Sequence, residues 1–325
     1  LTTGATRAVN MIDFDGDNWL DLALTHPASP PSLWLNQGIA GDDIAAHDRF
    51  QRVATTGARY IANTMGWADL DHDGDLDLVT GSYNSELGNL GDGFAIGGGV
   101  SYYENQGSKL ELTVIAPTAE ALAILLTDLN EDNKADIVIG NDYVHPDHIF
   151  VKDSKSGNNT WVEKQLFEST ATNTMSYDIG DIDNNGRMDL FSADMKPYED
   201  SPSVIYSWER ITILPPPDSI QSNENVLLIP HGTGDNLNYI NEARSRGLDA
   251  TGWTWSAKFG DLDSDGNIDL YAVNGMIDSL VFGHLSNDEL VERNQARRNK
   301  GNGIFVPAPE WELGSERSGR GMSMA

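Results

Sequence analysis

Short apolar segments alternate with acidic turns along the chain. Four-residue segments that favour strands begin at Leu22, Leu78, Ile137, Leu190 and Leu270. A second apolar segment, which runs into a turn in most repeats, follows at 33–38, 102–107, 149–153 and 226–232, and further alternating stretches lie at 50–54 and 161–166. Segments of this length and composition predict β-strands. Each repeat therefore predicts about four short antiparallel strands, which is the content of one propeller blade.

A nine-residue acidic pattern directly precedes each of the first strands. Asp or Asn occupies positions 1, 3 and 5, and Asp occupies position 9, in the copies Asp13–Asp21, Asp69–Asp77, Asp128–Asp136, Asp181–Asp189 and Asp261–Asp269. Five copies in register indicate a repeat architecture. We predict one all-β domain over residues 1–325, with repeat units that start near residues 5, 61, 120, 173 and 253.

The acidic pattern predicts calcium sites. Side-chain oxygens at positions 1, 3, 5 and 9, with the main-chain carbonyl of position 7, form the oxygen cage that Ca²⁺ prefers. An EF-hand requires Glu at position 12, and no copy has one there. We therefore expect about five Ca²⁺ sites in hairpin loops. The candidate ligands are Asp13, Asp15, Asp17, Trp19 and Asp21; Asp69, Asp71, Asp73, Asp75 and Asp77; Asp128, Asn130, Asp132, Lys134 and Asp136; Asp181, Asp183, Asn185, Arg187 and Asp189; and Asp261, Asp263, Asp265, Asn267 and Asp269.

The five loops differ in charge. The second loop contains five Asp residues, so we expect it to bind Ca²⁺ most tightly. The fourth loop has the neutral Asn185 at position 5 and Arg187 at position 7, so we expect it to bind most weakly. The third loop departs from the pattern at position 6, where Asn133 replaces Gly.

The amino-acid composition excludes several classes of function and of site. The chain has 50 acidic against 21 basic residues, which argues against nucleic-acid binding because phosphate contacts need a basic surface. It has no Cys, which excludes disulfides, thiolate metal sites and Cys nucleophiles. Weak multi-aspartate Ca²⁺ sites fill only near millimolar calcium, so we expect a secreted, cell-surface or periplasmic protein. The longest apolar run, residues 121–126, is too short to span a membrane.

Three segments depart from the repeat. Residues 196–224 lengthen the fourth unit, and they predict either a plain surface loop or a loop that shapes a binding site. Ser286 and Glu289 form a capping box that predicts a helix, with Gly301 at the end of the polar stretch that follows. Residues 319–325 are similar to the segment before each loop, such as 64–68. We therefore expect the chain to stop mid-protein, one residue before a sixth loop. At the other end no signal peptide is visible at Leu1, which suggests a mature or trimmed chain.

These residues resemble the FG-GAP/VCBS-repeat propellers, and within them the ASPIC/UnbV branch, which is cartilage-acidic-protein-like. The most specific similarity lies in residues 238–260, which lead into Asp261, and in 271–275, with support from 175–194. The resemblance implies six to eight blades, usually seven when complete, with Ca²⁺ in hairpin loops near the start of each blade. Integrin α heads use a related loop, which implies an adhesive or ligand-binding role.

No catalytic constellation is recognisable in the sequence. It has no Gly-x-Ser-x-Gly elbow, no phosphate loop and no His-Glu-x-x-His signature. Residues 145–148 could hold a metal, although a polar loop after a strand is the commoner explanation. The aromatic residues that could stack on sugars or anchor a protein are Trp19, Trp34, Tyr83, Tyr102, Tyr103, Tyr143, Trp253 and Trp255. We expect most of them to pack between blades, and Trp19, Tyr83 and Tyr143 to be exposed.

The sequence thus predicts a non-catalytic, calcium-binding propeller that acts as an extracellular or cell-surface binding and adhesion module, with a protein or glycan ligand. One alternative is a calcium-dependent polysaccharide lyase on the same scaffold, which would need a Lys, Arg or Tyr base in a cleft. A third hypothesis is a scaffold subunit of a surface assembly, which a flat apolar patch would favour.

Overall fold

The computed structural model describes residues 5–39, 46–55, 57–84, 97–107, 109–143, 145–153, 160–200, 202–212, 214–275 and 292–324. Within these residues the fold is all-β and contains five four-stranded antiparallel sheets, the arrangement expected of propeller blades. This confirms the predicted fold class. None of the helices in the described residues combines the length and apolar character that a membrane crossing requires.

The chain divides into two compact units, and the first contains residues 1–128, 132–139 and 150–163. Its first sheet has the order β1-β2-β3-β4 and contains β1 (Val9–Ile12), β2 (Asp21–His26), β3 (Ser29–Asn36) and β4 (Phe50–Val53), with a short helix Ala46–Arg49 before β4. Its second sheet has the order β5-β6-β7-β8 and contains β5 (Thr64–Ala68), β6 (Asp77–Gly81), β7 (Val100–Asn105) and β8 (Leu110–Ala116).

The third sheet has the order β12-β11-β10-β9. It contains β9 (Ala121–Thr127), β10 (Asp136–Asn141), β11 (His148–Asp153) and β12 (Thr160–Glu163). Residues 140–149, at the ends of β10 and β11, are grouped with the second unit.

The second unit contains residues 129–131, 140–149 and 164–325. One of its sheets contains β14 (Ser176–Gly180), β15 (Asp189–Ala193), β17 (Val226–His231) and β18 (Asn238–Asn241), in that order. The other contains β19 (Thr254–Gly260), β20 (Asp269–Asn274), β21 (Gln295–Asn299) and β22 (Phe305–Pro307). A two-stranded parallel sheet joins β13 (Thr170–Ala171) to β16 (Gln221–Ser222). Helical segments are Pro202–Ile211, Ala243–Arg246, and the 3-10 turns Gly234–Asn236 and Pro309–Trp311.

In each four-stranded sheet, the acidic loop is the hairpin connection between the first two strands along the chain. The last residue of the first strand pairs with the closing Asp of the loop, as Ala68 pairs with Asp77 and Gly260 with Asp269. Position 2 of the loop is apolar in every copy, and Leu70 and Ile182 are fully buried there. Burial of this side chain in the core fixes the loop to the sheet while positions 1, 3 and 5 remain free for polar contacts.

Each unit has its own apolar core. In the first unit Leu78 and Tyr103 pack in one cluster, and Ile137 and Phe150 pack in another. In the second unit Ile182, Phe191, Leu227 and Leu270 belong to one cluster. The central strands are buried on both faces, which explains why they read as continuous apolar runs rather than as alternating ones.

The predicted helix near residues 286–301 is wrong in its second half. Gln295–Asn299 forms strand β21, which pairs with β20 and β22. Its polar residues are stabilised by long-range contacts, since Asn299 is fully buried and the Arg298 guanidinium lies 4.9 Å from the Trp311 ring. Tertiary pairing therefore overrides the local capping signal. Ser286 and Glu289 lie outside the described residues.

The long fourth unit is more ordered than a plain loop. Its described residues between 196 and 224 include the ten-residue helix Pro202–Ile211 and strand β16. The segment 319–325 makes a contact that also occurs before the third loop. The Gly319 N–H donates to the Asn274 carbonyl at 3.1 Å. The Ala121 N–H, seven residues before the third loop, donates in the same way to the Ser82 carbonyl at 2.9 Å.

Candidate metal sites

The acidic loops share one backbone conformation. Positions 4 and 6 of all five loops have positive φ angles, between 57° and 98°, in the left-handed region that favours glycine. Glu131 adopts this conformation at position 4 with φ 61°, and Asn133 adopts it at position 6 with φ 63°. Asn tolerates this region well, which explains why Asn133 can replace Gly without a change of loop type.

Carboxylates at positions 1 and 5 organise the turn. Asp69 accepts hydrogen bonds from the main-chain N–H groups of Asp73 and Gly74, both at 3.2 Å. The same pair of bonds recurs in the third, fourth and fifth loops. The side chain at position 5 accepts from the N–H of position 7 in all five loops, at 2.8–3.1 Å. These bonds hold the carboxylates in a defined orientation.

The closing Asp of each loop is buried, with 0 or 1 % exposure. In four loops it accepts from the N–H of position 2 at 2.9–3.1 Å. Its second oxygen accepts from the N–H of a residue at the end of the third strand, at 2.7–2.8 Å, and these donors are Asn36, Asn105 and Asn299. The closing Asp therefore connects the loop to the sheet.

The fourth loop lacks this last bond. Leu190 pairs with Leu228 as Leu78 pairs with Tyr103, so Pro230 is the counterpart of Asn105. Proline has no N–H to donate. Asp189 Oδ1 is consequently buried without a hydrogen-bond partner among the described residues. Burial raises the pKa of Asp189 to about 7.

Four of the loops bring three carboxylate oxygens within 4.8 Å of one another. The groups are Asp13, Asp15 and Asp17; Asp69, Asp71 and Asp73; Asp181, Asp183 and Asp189; and Asp261, Asp263 and Asp265. The fourth group uses position 9 because position 5 is Asn185. In the third loop Asn130 stands at position 3, where it offers an amide oxygen in place of a carboxylate.

Several oxygens in these loops have no protein donor. Asp13 Oδ1, Asp183 Oδ1 and Asp189 Oδ1 are shielded from solvent and lack a hydrogen-bond partner in the described part of the chain. An ionised carboxylate can only accept, so a buried oxygen of this kind is costly unless a cation or donor reaches it. A hard cation with oxygen preference satisfies that need. The donor set therefore fits Ca²⁺.

Burial, and after it the crowding of negative charge, raises the proton affinity of the second loop. Burial and then the charge of Asp73 raise the pKa of Asp75 to about 6. Burial also raises the pKa of Asp71 and of Asp77. A bound cation would favour the ionised form of all three, so cations and protons compete for this loop.

Basic side chains that the sequence analysis did not identify lie beside two position-3 aspartates. Arg246 Nη2 is 3.5 Å from Asp183 Oδ2 in the fourth loop. Arg298 Nε is 3.1 Å from Asp263 Oδ2 in the fifth loop. These arginines neutralise part of the loop charge and would compete with a bound cation for the carboxylates. No sequence signal marks them, because both lie more than 30 residues from the aspartate that they contact.

The main-chain carbonyl at position 2 receives a side-chain hydrogen bond from the following repeat in three loops. Lys152 Nζ donates to Leu70 at 2.9 Å, Tyr239 Oη to Leu129 at 2.8 Å, and Asn299 Nδ2 to Ile182 at 2.7 Å. The donors differ in chemistry but meet the same acceptor. Each of these loops is therefore attached to the repeat that follows it.

The asparagines that end the third strands are functional residues that the sequence analysis missed. Asn36 and Asn105 each donate to the carbonyl of loop position 8, at 3.2 and 3.1 Å, and each accepts from the N–H of a glycine two residues later. Their signal is visible in the sequence as a recurring Asn-x-Gly at the end of the second apolar segment. Its meaning depends on the pairing of distant strands.

The aromatic residues separate into buried and exposed groups. Tyr102 and Tyr103 are buried, as expected for residues that pack in the core. Trp19 is 48 % exposed and Tyr143 is 38 % exposed, which agrees with the prediction, whereas Tyr83 is half-buried. The Trp19 ring lies against Gly38, where an added Cβ would come within 2.9 Å of the indole nitrogen.

Residues 145–148 have a structural role in the described chain. Asp147 is buried and accepts from the Asn141 N–H at 2.7 Å and from the Thr174 hydroxyl at 2.8 Å. The Tyr177 hydroxyl also donates to it. This carboxylate is therefore fully engaged with protein donors rather than directed toward a metal.

A cavity of about 250 Å³ lies beside the first loop. Asp15 and Lys109 line it, but most of its walls are apolar and include Phe14, Leu35 and Val53. A wall of this kind suits an apolar group rather than the hydroxyl-rich surface of a polysaccharide. Lys109 therefore lacks the polar cleft that a polysaccharide lyase would need.

Comparisons with known proteins agree with the repeat pattern. The model of the FG-GAP-like repeat matches residues 13–80 and 128–192, so the chain contains FG-GAP-like repeats, which supports the FG-GAP family. No curated protein sequence matches the chain.

Several solved structures are similar at low identity. An Agrocybe aegerita lectin that recognises non-reducing terminal N-acetylglucosamine is 14% identical with a TM-score of 0.49, over 92% of this chain and 64% of the lectin. The exotype rhamnogalacturonan lyase YesX is 12% identical with a TM-score of 0.44, over 93% of this chain and 48% of the lyase. The V. cholerae biofilm matrix protein Bap1 is 14% identical with a TM-score of 0.40, over 92% of this chain and 38% of that protein. The chain thus spans less than two thirds of the length of each.

Proposed function

We propose that this chain is a calcium-binding propeller of the FG-GAP family, in its ASPIC/UnbV branch, and that it acts as a non-catalytic binding or adhesion module outside the cell or in the periplasm. The observation that carries the proposal is the convergence of three carboxylate oxygens within 4.8 Å in four hairpin loops. The similarity of residues 238–260 to the ASPIC/UnbV pattern supports the choice of branch. We also propose that the complete propeller has seven blades.

The residues of each loop have distinct roles in this proposal. Positions 1, 3, 5 and 9 supply side-chain oxygens, and position 7 supplies its main-chain carbonyl. Bound calcium would neutralise the clustered carboxylates and cross-link the two ends of the hairpin. The hydrogen bonds from N–H groups of positions 5, 6 and 7 orient the ligands, as Gly266 does for Asp261 at 3.0 Å. The closing Asp transmits this order to the sheet.

The exposed aromatic rings support a binding role. Trp19, at position 7 of the first loop, presents about half of its surface to solvent. Its other side rests on Gly38, so the ring is held in place and loses little conformational entropy when a ligand stacks on it. A rigid, half-exposed indole suits a sugar ring or an apolar side chain of a protein partner.

A thermal melt with calcium and with EGTA tests the metal part of the proposal. At about 1 mM Ca²⁺ and a Kd of about 10⁻⁴ to 10⁻³ M, each site would stabilise the fold by roughly 0.4–1.4 kcal/mol. About five sites would together contribute roughly 2–7 kcal/mol. We expect a large rise in melting temperature with Ca²⁺ and a much smaller rise with Mg²⁺, which prefers a tighter octahedral site. An unchanged melting temperature would refute calcium binding.

A ligand screen tests the binding part. The protein is applied to glycan and protein arrays in calcium, and Trp19→Ala is compared with Trp34→Ala, which removes a less exposed ring of the same sheet. We expect Trp19→Ala to lower the affinity for a captured ligand more than Trp34→Ala does. Equal loss in both variants would assign the effect to folding and would place the binding surface elsewhere.

A further inference from the structure

Asn299 makes the contacts that Asn36 and Asn105 make in their own repeats, and it makes two more. It is fully buried at the end of β21. Its N–H donates to Asp269 at 2.8 Å, and its Nδ2 donates to the Ile268 carbonyl at 3.0 Å, both within the fifth loop. Its Oδ1 accepts from the N–H of Gly301 and of Gly303, each at 3.0 Å. These contacts clamp the fifth loop onto its own sheet.

One of the two additional contacts reaches the fourth loop. Asn299 Nδ2 also donates to the carbonyl of Ile182 at 2.7 Å, across 117 residues of sequence. This carbonyl belongs to the peptide unit that leads directly into Asp183, a member of the fourth carboxylate group. The two hydrogens of one amide group therefore hold the fourth and the fifth loop at the same time.

A second route joins the same two loops. Arg246 approaches the Asp183 carboxylate at 3.5 Å and donates to the Gly303 carbonyl at 3.4 Å. The Gly303 N–H in turn donates to Asn299 Oδ1. Asn299, the Asp183 segment, Arg246 and Gly303 thus form a closed ring of contacts.

Asn105 makes the same contacts to its own loop as Asn299 does, and in the described residues it makes no bond like that of Asn299 to Ile182. It donates through its N–H to Asp77 at 2.8 Å and through its Nδ2 to Leu76 at 3.1 Å, both in its own loop. In the described residues neither contact reaches another loop. Asn105 is therefore a matched reference for Asn299, with the same local role and no connection between sites.

We propose that Asn299 is a positioning residue that couples calcium binding in the fourth and fifth loops. The inference rests on the proposed calcium function of these loops. When the fifth loop closes around an ion, it orders the Asn299 amide and thereby the Ile182 carbonyl that sets the position of Asp183. Occupation of the fifth loop therefore raises the calcium affinity of the fourth, and the reverse holds by linkage. This gives the fourth loop, which has the fewest carboxylates, support from its neighbour.

Glycine amide resonances allow each loop to be followed separately. Gly74, Gly186 and Gly266 occupy position 6 of the second, fourth and fifth loops, and each donates to the first Asp of its loop at 3.2, 2.8 and 3.0 Å. In protein labelled with ¹⁵N-glycine, calcium is titrated and the midpoint of each resonance is recorded. The comparison uses the complete chain and its single variants.

The decisive variant is Asp265→Ala, which disables the fifth loop at an exposed position away from Asn299. We expect it to raise the calcium midpoint of Gly186 by about five-fold or more, within the usual range of coupling between sites, and to leave that of Gly74 unchanged. An unchanged Gly186 midpoint would overturn the coupling while leaving the calcium function intact. If no glycine resonance responds to calcium, the proposed function fails and the coupling fails with it.

A second comparison assigns the coupling to Asn299. Asn299→Asp keeps the main-chain donor and Oδ1 but removes the Nδ2 donor, and Asn105→Asp makes the same change in the reference clamp. In the Asn299→Asp background, adding Asp265→Ala should shift the Gly186 midpoint no further. In the Asn105→Asp background, adding Asp265→Ala should shift the Gly186 midpoint as far as it does in the unmodified protein. The Asn105→Asp substitution alone should change the midpoint of Gly74, which lies in the loop that Asn105 clamps. A full shift in both backgrounds would overturn the role of Asn299.

Discussion

Lys152 donates a hydrogen bond from its ammonium group to the main-chain carbonyl of Leu70, 2.9 Å away and 82 residues earlier in the chain. The lysine is only 6 % exposed, and its Nζ lies 5.8 Å from the Tyr102 ring centre and 5.5 Å from that of Trp161. Burial lowers the pKa of Lys152, and the charge of Asp71 opposes that shift. A buried ammonium thus joins the second loop to the third sheet.

Lys152→Met should destabilise the protein. The variant keeps the length of the side chain but leaves the Leu70 carbonyl without its donor, which costs about 1–3 kcal/mol. Urea unfolding measures the loss. Lys164→Met, at an exposed position nearby in sequence, is the control and should change the unfolding free energy by less than about 0.5 kcal/mol. Equal effects would show that the Lys152 contact contributes little.

Calcium affinity should differ between the second and fourth loops. The second has five carboxylates, whereas the fourth has three and Arg246 next to Asp183. One charge at about 4 Å changes the interaction with an ion by about 4 kcal/mol at an effective dielectric constant of 20, which outweighs the advantage of the free Asp189 oxygen. Calcium titration of Asp73→Ala and Asp183→Ala should show the larger affinity loss for Asp73→Ala. A tighter fourth loop would contradict the argument from charge.

Pro230→Asn should stabilise the calcium-free protein. The substitution introduces an N–H where Asn36, Asn105 and Asn299 donate to the closing Asp, so Asp189 Oδ1 gains a partner. Relief of a buried unpaired oxygen contributes about 1–3 kcal/mol, and loss of proline costs about 0.4–1 kcal/mol, which leaves a net gain of about 1 kcal/mol. Denaturant unfolding in EGTA measures it. Pro216→Asn, in an exposed turn, should show only the cost of losing proline.

Stability of the metal-stripped protein should fall as the pH rises from about 4 to about 7.5. Burial raises the pKa of Asp147 and of Asp194 to about 7, well above the unfolded value of about 3.9. The folded state therefore binds more protons than the unfolded state in this range, so each such group removes up to about 1.4 kcal/mol of stability per pH unit. Urea unfolding at a series of pH values gives the slope.

Asp147→Asn provides the matched control for the pH series. The amide resembles the protonated carboxyl, and the hydroxyls of Thr174 and Tyr177 can turn to accept from it. The variant should therefore show a flatter decline of unfolding free energy with pH. An identical slope would mean that the three donors around Asp147 keep it ionised in the folded protein.

Much of the fold could be predicted because its signals are local. Asp or Asn at every second position within nine residues, with an apolar residue at position 2 and Gly or Asn at position 6, is a local signal for a tight hairpin. The apolar segments after Asp21 and Asp77 were predicted as strands for the same reason, and the structure confirms them. The capping box at Ser286 is equally local, but its predicted helix fails at Gln295–Asn299, where pairing with two distant strands decides the conformation.

The sequence by itself determined the repeats, the all-β architecture and the carboxylates that converge in the loops, since these follow from neighbours along the chain. Only the tertiary structure decided which loops are joined and what charges face them. Asn299 meets Ile182 across 117 residues and Lys152 meets Leu70 across 82, and no periodicity marks either pair. The same holds for Pro230, whose place as the counterpart of Asn105 is visible only from the strand pairing. Contacts of this kind depend on how sheets pack, and packing is a property of the whole folded chain.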